Sequence, residues 1–189
     1  MLARSIRTTR SWLGRSEGRD ELFTKQACAR WLRRIMGFAP TLEEPDLEIG
    51  FWCLGREAED LIHALAESLR GEDWRDSVET LHKALGAPED LPTCVLEALN
   101  GEPKSVVAGF LRELDSRLAE VELRQLPGRP CLLERNLARF CEMFELSPAE
   151  TELCLVFYLM KAHKPAADWL DNHLQLDQLR KLHLDEDVV

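Results

Sequence analysis

Apolar residues recur every three or four positions along most of the chain, which is the spacing of amphipathic α-helices. The clearest stripe lies between residues 20 and 36, where apolar side chains stand at every fourth position (Phe23, Ala27, Trp31, Ile35). The same spacing predicts further helices over residues 56–70, 73–85, 91–99, 103–126 and 132–144. A capped helix after Ser147, a short helix opened by Pro165 and a last helix beginning at Gln178 complete the pattern.

Two segments interrupt this helical pattern. Residues 37–50 contain Pro40 and Pro45 and are predicted to form a loop, and the apolar cluster at residues 49–54 has no clear local structure. Pro127-Gly-Arg-Pro130 is the clearest linker, since proline and glycine both interrupt regular structure. We therefore predict three parts, namely a basic N-terminal segment over residues 1–19, an acidic helical bundle over residues 20–126 and a helix-turn-helix-like subdomain over residues 131–189.

The part after the linker has a more specific pattern. Ser147-Pro-Ala-Glu150 predicts a capping box, in which the serine oxygen accepts a hydrogen bond from the Glu150 amide and the glutamate reaches back. The helix behind it is apolar on all sides over residues 153–160, so we expect it to be the buried centre of its domain. In the preceding helix, five apolar residues are expected to face inward (Leu133, Leu137, Phe140, Cys141, Phe144).

Leucine dominates the apolar composition: it occurs 33 times, against 8 valines and 4 isoleucines. β-Branched residues pack well in strands, whereas leucine loses little rotamer freedom in a helix. The composition therefore predicts an all-α protein, an irregular multi-helix bundle followed by a smaller helix-turn-helix or winged-helix-like subdomain. The longest uncharged apolar run has eight residues. A membrane span needs roughly 20, so none is expected.

The net charge of −10 is unevenly distributed along the chain. Residues 1–36 carry a net charge of +6, residues 37–130 one of −11 and residues 131–189 one of −5. The first fifteen residues contain no acid, which is typical of a mitochondrial presequence or of a helix that binds anionic lipid or phosphate. The interpretation we favour is a solvated basic face, or one that docks on the protein's own acidic body. Candidate contacts to an anion or nucleic acid are Arg4, Arg7, Arg10, Arg30, Arg33, Arg34, Arg180 and Lys181.

Residues 167–183 have the pattern of the second and third helices of a helix-turn-helix. Arg180, Lys181 and His183 offer cations to DNA there, but acidic residues surround them on both sides (Asp168, Asp171, Asp177, Asp185, Glu186, Asp187). A local negative charge opposes association with phosphate, so a protein-interaction or packing role is favoured over DNA reading. Nucleic-acid binding through this turn or through the basic N-terminal segment is the alternative function.

No catalytic motif is recognisable in the chain, which lacks a phosphate-binding loop, a dinucleotide-binding glycine motif and a nucleophile elbow. The six cysteines lack the paired spacing of a zinc site, and we expect reduced thiols in a cytoplasmic protein. Asp60-x-x-His63 and Glu79-x-x-His82 have the carboxylate–histidine spacing of di-iron helical bundles, but no further inward glutamates are evident. We therefore expect surface neighbours and no metal. A helical metal-dependent enzyme is the second alternative.

One stretch, Asn136-Leu-Ala-Arg-Phe-Cys-Glu-Met-Phe-Glu-Leu-Ser-Pro-Ala-Glu-x-Glu-Leu-Cys-Leu155, leads into a strongly apolar helix with an acidic start. With its surroundings, residues 132–183, it resembles the helical region that precedes the ATPase module in some bacterial AAA+ proteins. In those chains a small winged-helix-like turn follows, and then the phosphate-binding domain. The resemblance covers about a quarter of this chain, in which the Walker A, Walker B and arginine-finger motifs have no counterpart.

The resemblance implies a regulatory or partner-recognition region that acts by protein–protein interaction ahead of an ATP-driven ring. Its partner would be another protein or a downstream ATPase module, and oligomerisation would come through the parent ATPase. ATP and magnesium would bind only in that module, so the chain itself is expected to be no enzyme and to need no cofactor. The acidic last residues carry no capping glycine or proline, which indicates a fragment of a longer protein.

Overall fold

The structure, a computed structural model of the chain, describes residues 18–38, 42–71, 73–87, 89–125, 130–162 and 164–174. Every regular element in these ranges is an α-helix, so the predicted all-α class is confirmed. The helices are α1 (Arg19–Phe38), α2 (Glu44–Leu54), α3 (Glu57–Ser68), α4 (Trp74–Ala84), α5 (Leu91–Leu99), α6 (Lys104–Leu123), α7 (Leu132–Met143), α8 (Pro148–Ala162) and α9 (Lys164–Leu174).

The chain divides into two compact units, Met1–Pro127 and Gly128–Val189. Helices α1 to α6 belong to the first unit and α7 to α9 to the second. None of the helices in the described ranges is both long enough and apolar enough to cross a bilayer. The predicted turn and last helix at residues 175–183 lie outside the described residues, so the winged-helix-like subdomain stays a prediction.

The centre of the first unit is α2, a helix that the apolar pattern did not predict. The loop expected over residues 37–50 is wrong from Glu44 onward. Pro45 lies in the first turn of α2, where its missing N–H costs no hydrogen bond, and the Glu43 backbone N–H donates to Oδ2 of Asp46 at 2.9 Å. From Asp46 onward every residue of α2 except Glu48 is buried (Asp46, Leu47, Ile49, Gly50, Phe51, Trp52, Cys53, Leu54). A helix that is buried on all sides shows no apolar stripe, which is why its sequence has no helical signature.

Gly50 allows α2 to lie close to α1 and α6. A Cβ atom added to it would lie 3.3 Å from Cδ2 of Leu32 and 3.7 Å from Cδ1 of Leu114. Both leucine side chains are fully buried, so there is little free space into which Leu32 could move. Glycine has a low helix propensity, but at position 50 it allows three helices to pack closely at the core.

Lys25 is a buried cation on the α1 side of this core. Its side chain is 1% exposed, and its Nζ lies 3.7 Å from Oε1 of Glu21 and 5.3 Å from the centre of the Trp52 ring. A carboxylate and an aromatic face both stabilise an ammonium group that is shielded from water. Sγ of Cys53 also donates to the backbone oxygen of Lys25 at 3.5 Å, so α1 and α2 are joined by polar as well as apolar contacts.

Arg33 on α1 joins two carboxylates of α6. Its Nε donates to Oδ1 of Asp115 at 2.9 Å, and its Nη1 donates to Oε2 of Glu122 at 2.7 Å. The hydrogen bond to Asp115 is the largest cause that raises the pKa of the Arg33 guanidinium. Both carboxylates therefore favour the charged arginine, and the two 20-residue helices are bridged at the edge of their contact.

The six cysteines carry free thiols, of which Cys28 on α1 is fully buried. Burial raises the pKa of the Cys28 thiol to about 12. Because the thiolate is the reactive form, we expect Cys28 to resist iodoacetamide at about pH 8 in the native protein and to react in urea. Peptide mass spectrometry measures the rate of alkylation at each cysteine. The half-buried Cys141 and Cys154 are internal controls that should react faster. Rapid native labelling of Cys28 would contradict the packing of α1.

The same pKa predicts how stability depends on alkaline pH. Between the ordinary thiol pKa of 9.0 and the native value of about 12, the unfolded thiol ionises while the native thiol keeps its proton. The contribution of Cys28 to stability is therefore fully present below about pH 9 and is lost as the pH rises towards 12.

The second unit has a small core on α8 and α9. Its buried apolar side chains within the helices are Leu155, Leu159, Ala166, Trp169 and Leu170. The predicted capping box at the start of α8 is confirmed: Oγ of Ser147 accepts from the Glu150 N–H at 3.3 Å, and Oε2 of Glu150 accepts from the Ser147 N–H at 2.7 Å. The Ser147 hydroxyl also donates to Glu150, and these bonds lower the pKa of that carboxyl.

Candidate protein-interaction surface

Helices α7 and α8 expose large apolar side chains. Seven of them are between 44% and 69% exposed, namely Leu132, Phe140, Met143 and Phe144 at α7, and Leu153, Phe157 and Tyr158 on α8. We call the first four the α7 stripe and the last three the α8 stripe. The expectation that Phe140 and Phe144 face inward is therefore wrong, and so is the expectation that the helix over residues 153–160 is buried on all sides.

Helix α8 is apolar on two opposite faces. Leu155 and Leu159, four positions apart, are buried, whereas Leu153 and Phe157, with the same spacing, are about half exposed. The two pairs are offset by two positions, which correspond to about 200° around a helix. One face of α8 thus belongs to the core of the second unit, and the opposite face belongs to the α8 stripe.

Helix α7 is attached to the unit along one side only. None of its residues is fully buried, and Leu133, Leu137 and Cys141 are half-buried. The hydroxyl of Thr151 on α8 donates to Sγ of Cys141 at 3.2 Å, which places this side of α7 against α8. The remaining side of α7 carries the α7 stripe.

Phe140 and Phe144 form the aromatic centre of the α7 stripe. Their ring centres are 4.7 Å apart and the rings are inclined by 46°, so the two side chains pack on each other in a tilted arrangement. An open groove of about 540 Å³ lies beside the Phe140 ring and is lined by Asn136, Arg139, Phe140, Glu142 and Met143. The lining thus combines apolar side chains with an arginine and a glutamate. Such a groove can take an apolar side chain of a partner, while Arg139 and Glu142 can pair with charges of either sign.

The structure separates the basic residues that the sequence grouped as anion contacts. The guanidinium of Arg33 is held by Asp115 and Glu122, so a phosphate would have to displace a carboxylate to reach it. Arg34 is exposed and Arg30 is half-buried. The other candidates lie outside the described residues (Arg4, Arg7, Arg10, Arg180, Lys181). Anion binding by these residues stays a prediction.

The two acid–histidine pairs show one contact that sequence reasoning missed. His63 on α3 and His82 on α4 lie against each other, with ring centres 5.4 Å apart. Of the acids, Glu79 pairs with Nζ of Lys83 at 2.7 Å, and this contact lowers the pKa of the Glu79 carboxyl. Helical spacing relates each histidine to residues of its own helix, so only the packing of α3 on α4 could bring the two rings together.

The chain matches no protein-family model, no curated protein and no solved structure.

Proposed function

We propose that the chain is a non-catalytic protein-interaction module that binds an amphipathic helix of a protein partner through the α7 and α8 stripes. The observation that carries this proposal is the exposure of seven large apolar side chains on two consecutive helices. Apolar surface in contact with water costs about 25 cal/mol per Å². Large exposed apolar patches on soluble domains therefore mark surfaces that a partner covers.

The size and composition of the two stripes suit a protein partner. Four of the seven side chains are aromatic and about half exposed, and an aromatic side chain has about 150–250 Å² of surface to bury. With the leucines and the methionine, the stripes offer several hundred Å², on the order of the ~800 Å² that one partner buries in a standard interface. Aromatic residues and methionine are also enriched at the centres of interfaces.

A helix is the partner element that fits the geometry of the α7 stripe. Leu132, Phe140 and Phe144 lie at multiples of four positions along α7, so they follow a ridge of the helix that is inclined by about 26° to its axis. An amphipathic helix presents apolar anchors at three- and four-residue spacing and can lie along such a row. Arg139 and Glu142 at the groove border would pair with charges that flank those anchors.

The identity of the larger assembly rests on the resemblance to AAA+ proteins. The stretch that carries it, residues 136–155, forms most of α7 and the first half of α8, so it overlaps the segments that hold the stripes. We propose that these helices hand a protein partner to an ATP-driven ring, or dock on the ring itself, as a regulatory or substrate-selecting region. ATP and magnesium would then act in that module.

Site-specific photo-crosslinking tests the surface. A photoreactive phenylalanine analogue at position 140 or 157 is expected to capture one discrete protein in cells, whereas the same analogue at the exposed Arg112 of α6 should capture none. With that protein purified, Phe140→Glu and Phe157→Glu are each expected to weaken its binding by about tenfold or more, since each places a charge in an apolar contact.

Glu145→Gln, an exposed substitution in the turn before α8, serves as the matched control and should bind like the parent chain. Circular dichroism checks that the glutamate variants keep their helix content, as expected for exposed positions. Equal affinity of the parent and both glutamate variants would exclude these stripes as the binding surface. Crosslinks that join two copies of the chain would identify a homodimer and exclude the helical partner proposed above.

A further inference from the structure

His63 and His82 lie side by side on consecutive helices of the first unit. Their ring centres are 5.4 Å apart, the ring planes are inclined by 53°, and both residues are exposed. Parallel stacking is therefore not the basis of the contact. The separation of the His63 and His82 rings is instead that of two histidines that bind one metal ion.

The 5.4 Å separation agrees with the geometry of a shared metal ion. A histidine nitrogen binds Zn²⁺ at about 2.0–2.1 Å, and the centre of the ring lies roughly 1 Å further along the same line. Two rings that share one ion at the tetrahedral angle therefore have centres about 5 Å apart. Binding of one ion would require one nitrogen of each ring to point at a common position.

We infer that His63 and His82 form a two-histidine site for a divalent transition-metal ion of the Zn²⁺, Ni²⁺ or Cu²⁺ class. Imidazole nitrogen suits these ions, whereas Mg²⁺ and Ca²⁺ take oxygen ligands. Among the described residues no group of three or more histidine, cysteine or carboxylate side chains is arranged to hold a metal. Water or an external ligand would therefore complete the coordination. The site is independent of the α7 and α8 stripes, which belong to the other unit.

The surroundings of the pair favour a cation. Asp60 and Glu67 on α3 are exposed within one turn of His63, and residues 37–130 carry a net charge of −11. A negative surface raises the local concentration of divalent ions. An ion held by both rings would also link α3 to α4, since each helix supplies one ligand. The site would thus act as a clip between two helices of the first unit.

Titration of the full chain with ZnCl₂ at neutral pH tests the inference. Calorimetry is expected to show one ion bound per chain, and the thermal unfolding midpoint should rise with Zn²⁺ because the ion binds the native pair. His63→Gln and His82→Gln should each weaken binding by about tenfold or more. The loss of affinity in the double variant should be clearly smaller than the sum of the two single losses, since the chelate is lost with its first ligand.

Two controls separate this pair from other metal-binding groups. A chain with the three remaining histidines replaced (His163→Gln, His173→Gln, His183→Gln) should still bind one ion with the parent affinity, and MgCl₂ should leave the unfolding midpoint unchanged. Electron paramagnetic resonance of the Cu²⁺ complex should show coupling to two nitrogens in the parent chain, and this readout needs no variant. Failure to saturate below about 1 mM Zn²⁺, or unchanged affinity in the double variant, would overturn the inference.

Discussion

Replacing Phe51 with alanine is expected to lower the free energy of unfolding of the first unit by about 3–5 kcal/mol. Phe51 is fully buried in α2, and α2 contacts α1, α3, α5 and α6. Removing the ring withdraws apolar surface from the core and leaves a cavity between α2 and the helices that pack on it. The surrounding helices are held by further contacts besides those with α2, so they cannot simply close the space. The loss of unfolding free energy is therefore expected at the upper end of the range for core substitutions.

Phe23→Ala is the matched control, since it makes the same chemical change at a half-buried position of α1. Its cost should be clearly smaller, in proportion to the smaller apolar surface that Phe23 removes from water. Urea denaturation followed by circular dichroism measures both variants, and hydrogen exchange of the α2 amides reports on the first unit separately. Equal losses for the two variants would show that α2 does not form the centre of this unit.

Reversing the charge of Arg33 is expected to lower the free energy of unfolding by about 2 kcal/mol, the second large effect. Arg33→Glu removes two charge-assisted hydrogen bonds, to Asp115 and Glu122, and places a third carboxylate beside them. Hydrogen bonds to charged groups contribute about 1.5–3 kcal/mol each. The three side chains are between 25% and 46% exposed, so solvent weakens both the hydrogen bonds that are lost and the repulsion that is added.

Arg34→Glu makes the same charge change at the next residue, which is exposed. It should alter the free energy of unfolding by no more than about 0.5 kcal/mol, because an exposed position loses no buried contact. Chemical denaturation of both variants at low and high salt is the measurement, and the Arg33→Glu loss should shrink as salt rises. A similar loss of unfolding free energy for the two substitutions would mean that the change in net charge lowers stability and that the bridge to α6 contributes nothing.

Amphipathic helices were predictable because their signal is local. The helix expected over residues 91–99 has the bounds of α5, and the one expected over residues 20–36 differs from α1 by one residue at its start and two at its end. Each of these helices buries one side, so its apolar residues fall on one stripe and its polar residues mark the other. The capping box at Ser147 was equally local, since its hydrogen bonds span three positions.

Helices α2 and α8 show where the same signal is lost. Both are apolar around much of their circumference, yet α2 is buried on nearly all sides and α8 exposes Leu153 and Phe157. A helix whose sequence is apolar on all sides has apolar surface to bury, but its sequence does not indicate which segments cover that surface. In α2 the apolar surface is covered by four surrounding helices, of which α1 and α6 can come close because position 50 is a glycine. In α8 the core takes one face, and the opposite face is the one we propose a partner covers.

The sequence by itself determined the helical class, the positions of most helices and the unequal distribution of charge. These properties follow from propensity and from periodicity over a few turns, which need no partner segment. Only the tertiary structure decided that α2 is the centre of a unit, that Arg33 faces two carboxylates, that His63 meets His82 and that α7 and α8 keep an apolar face in water. Each of these depends on which helix lies against which, and the pairing of helices distant in the chain is set by complementary packing of their side chains.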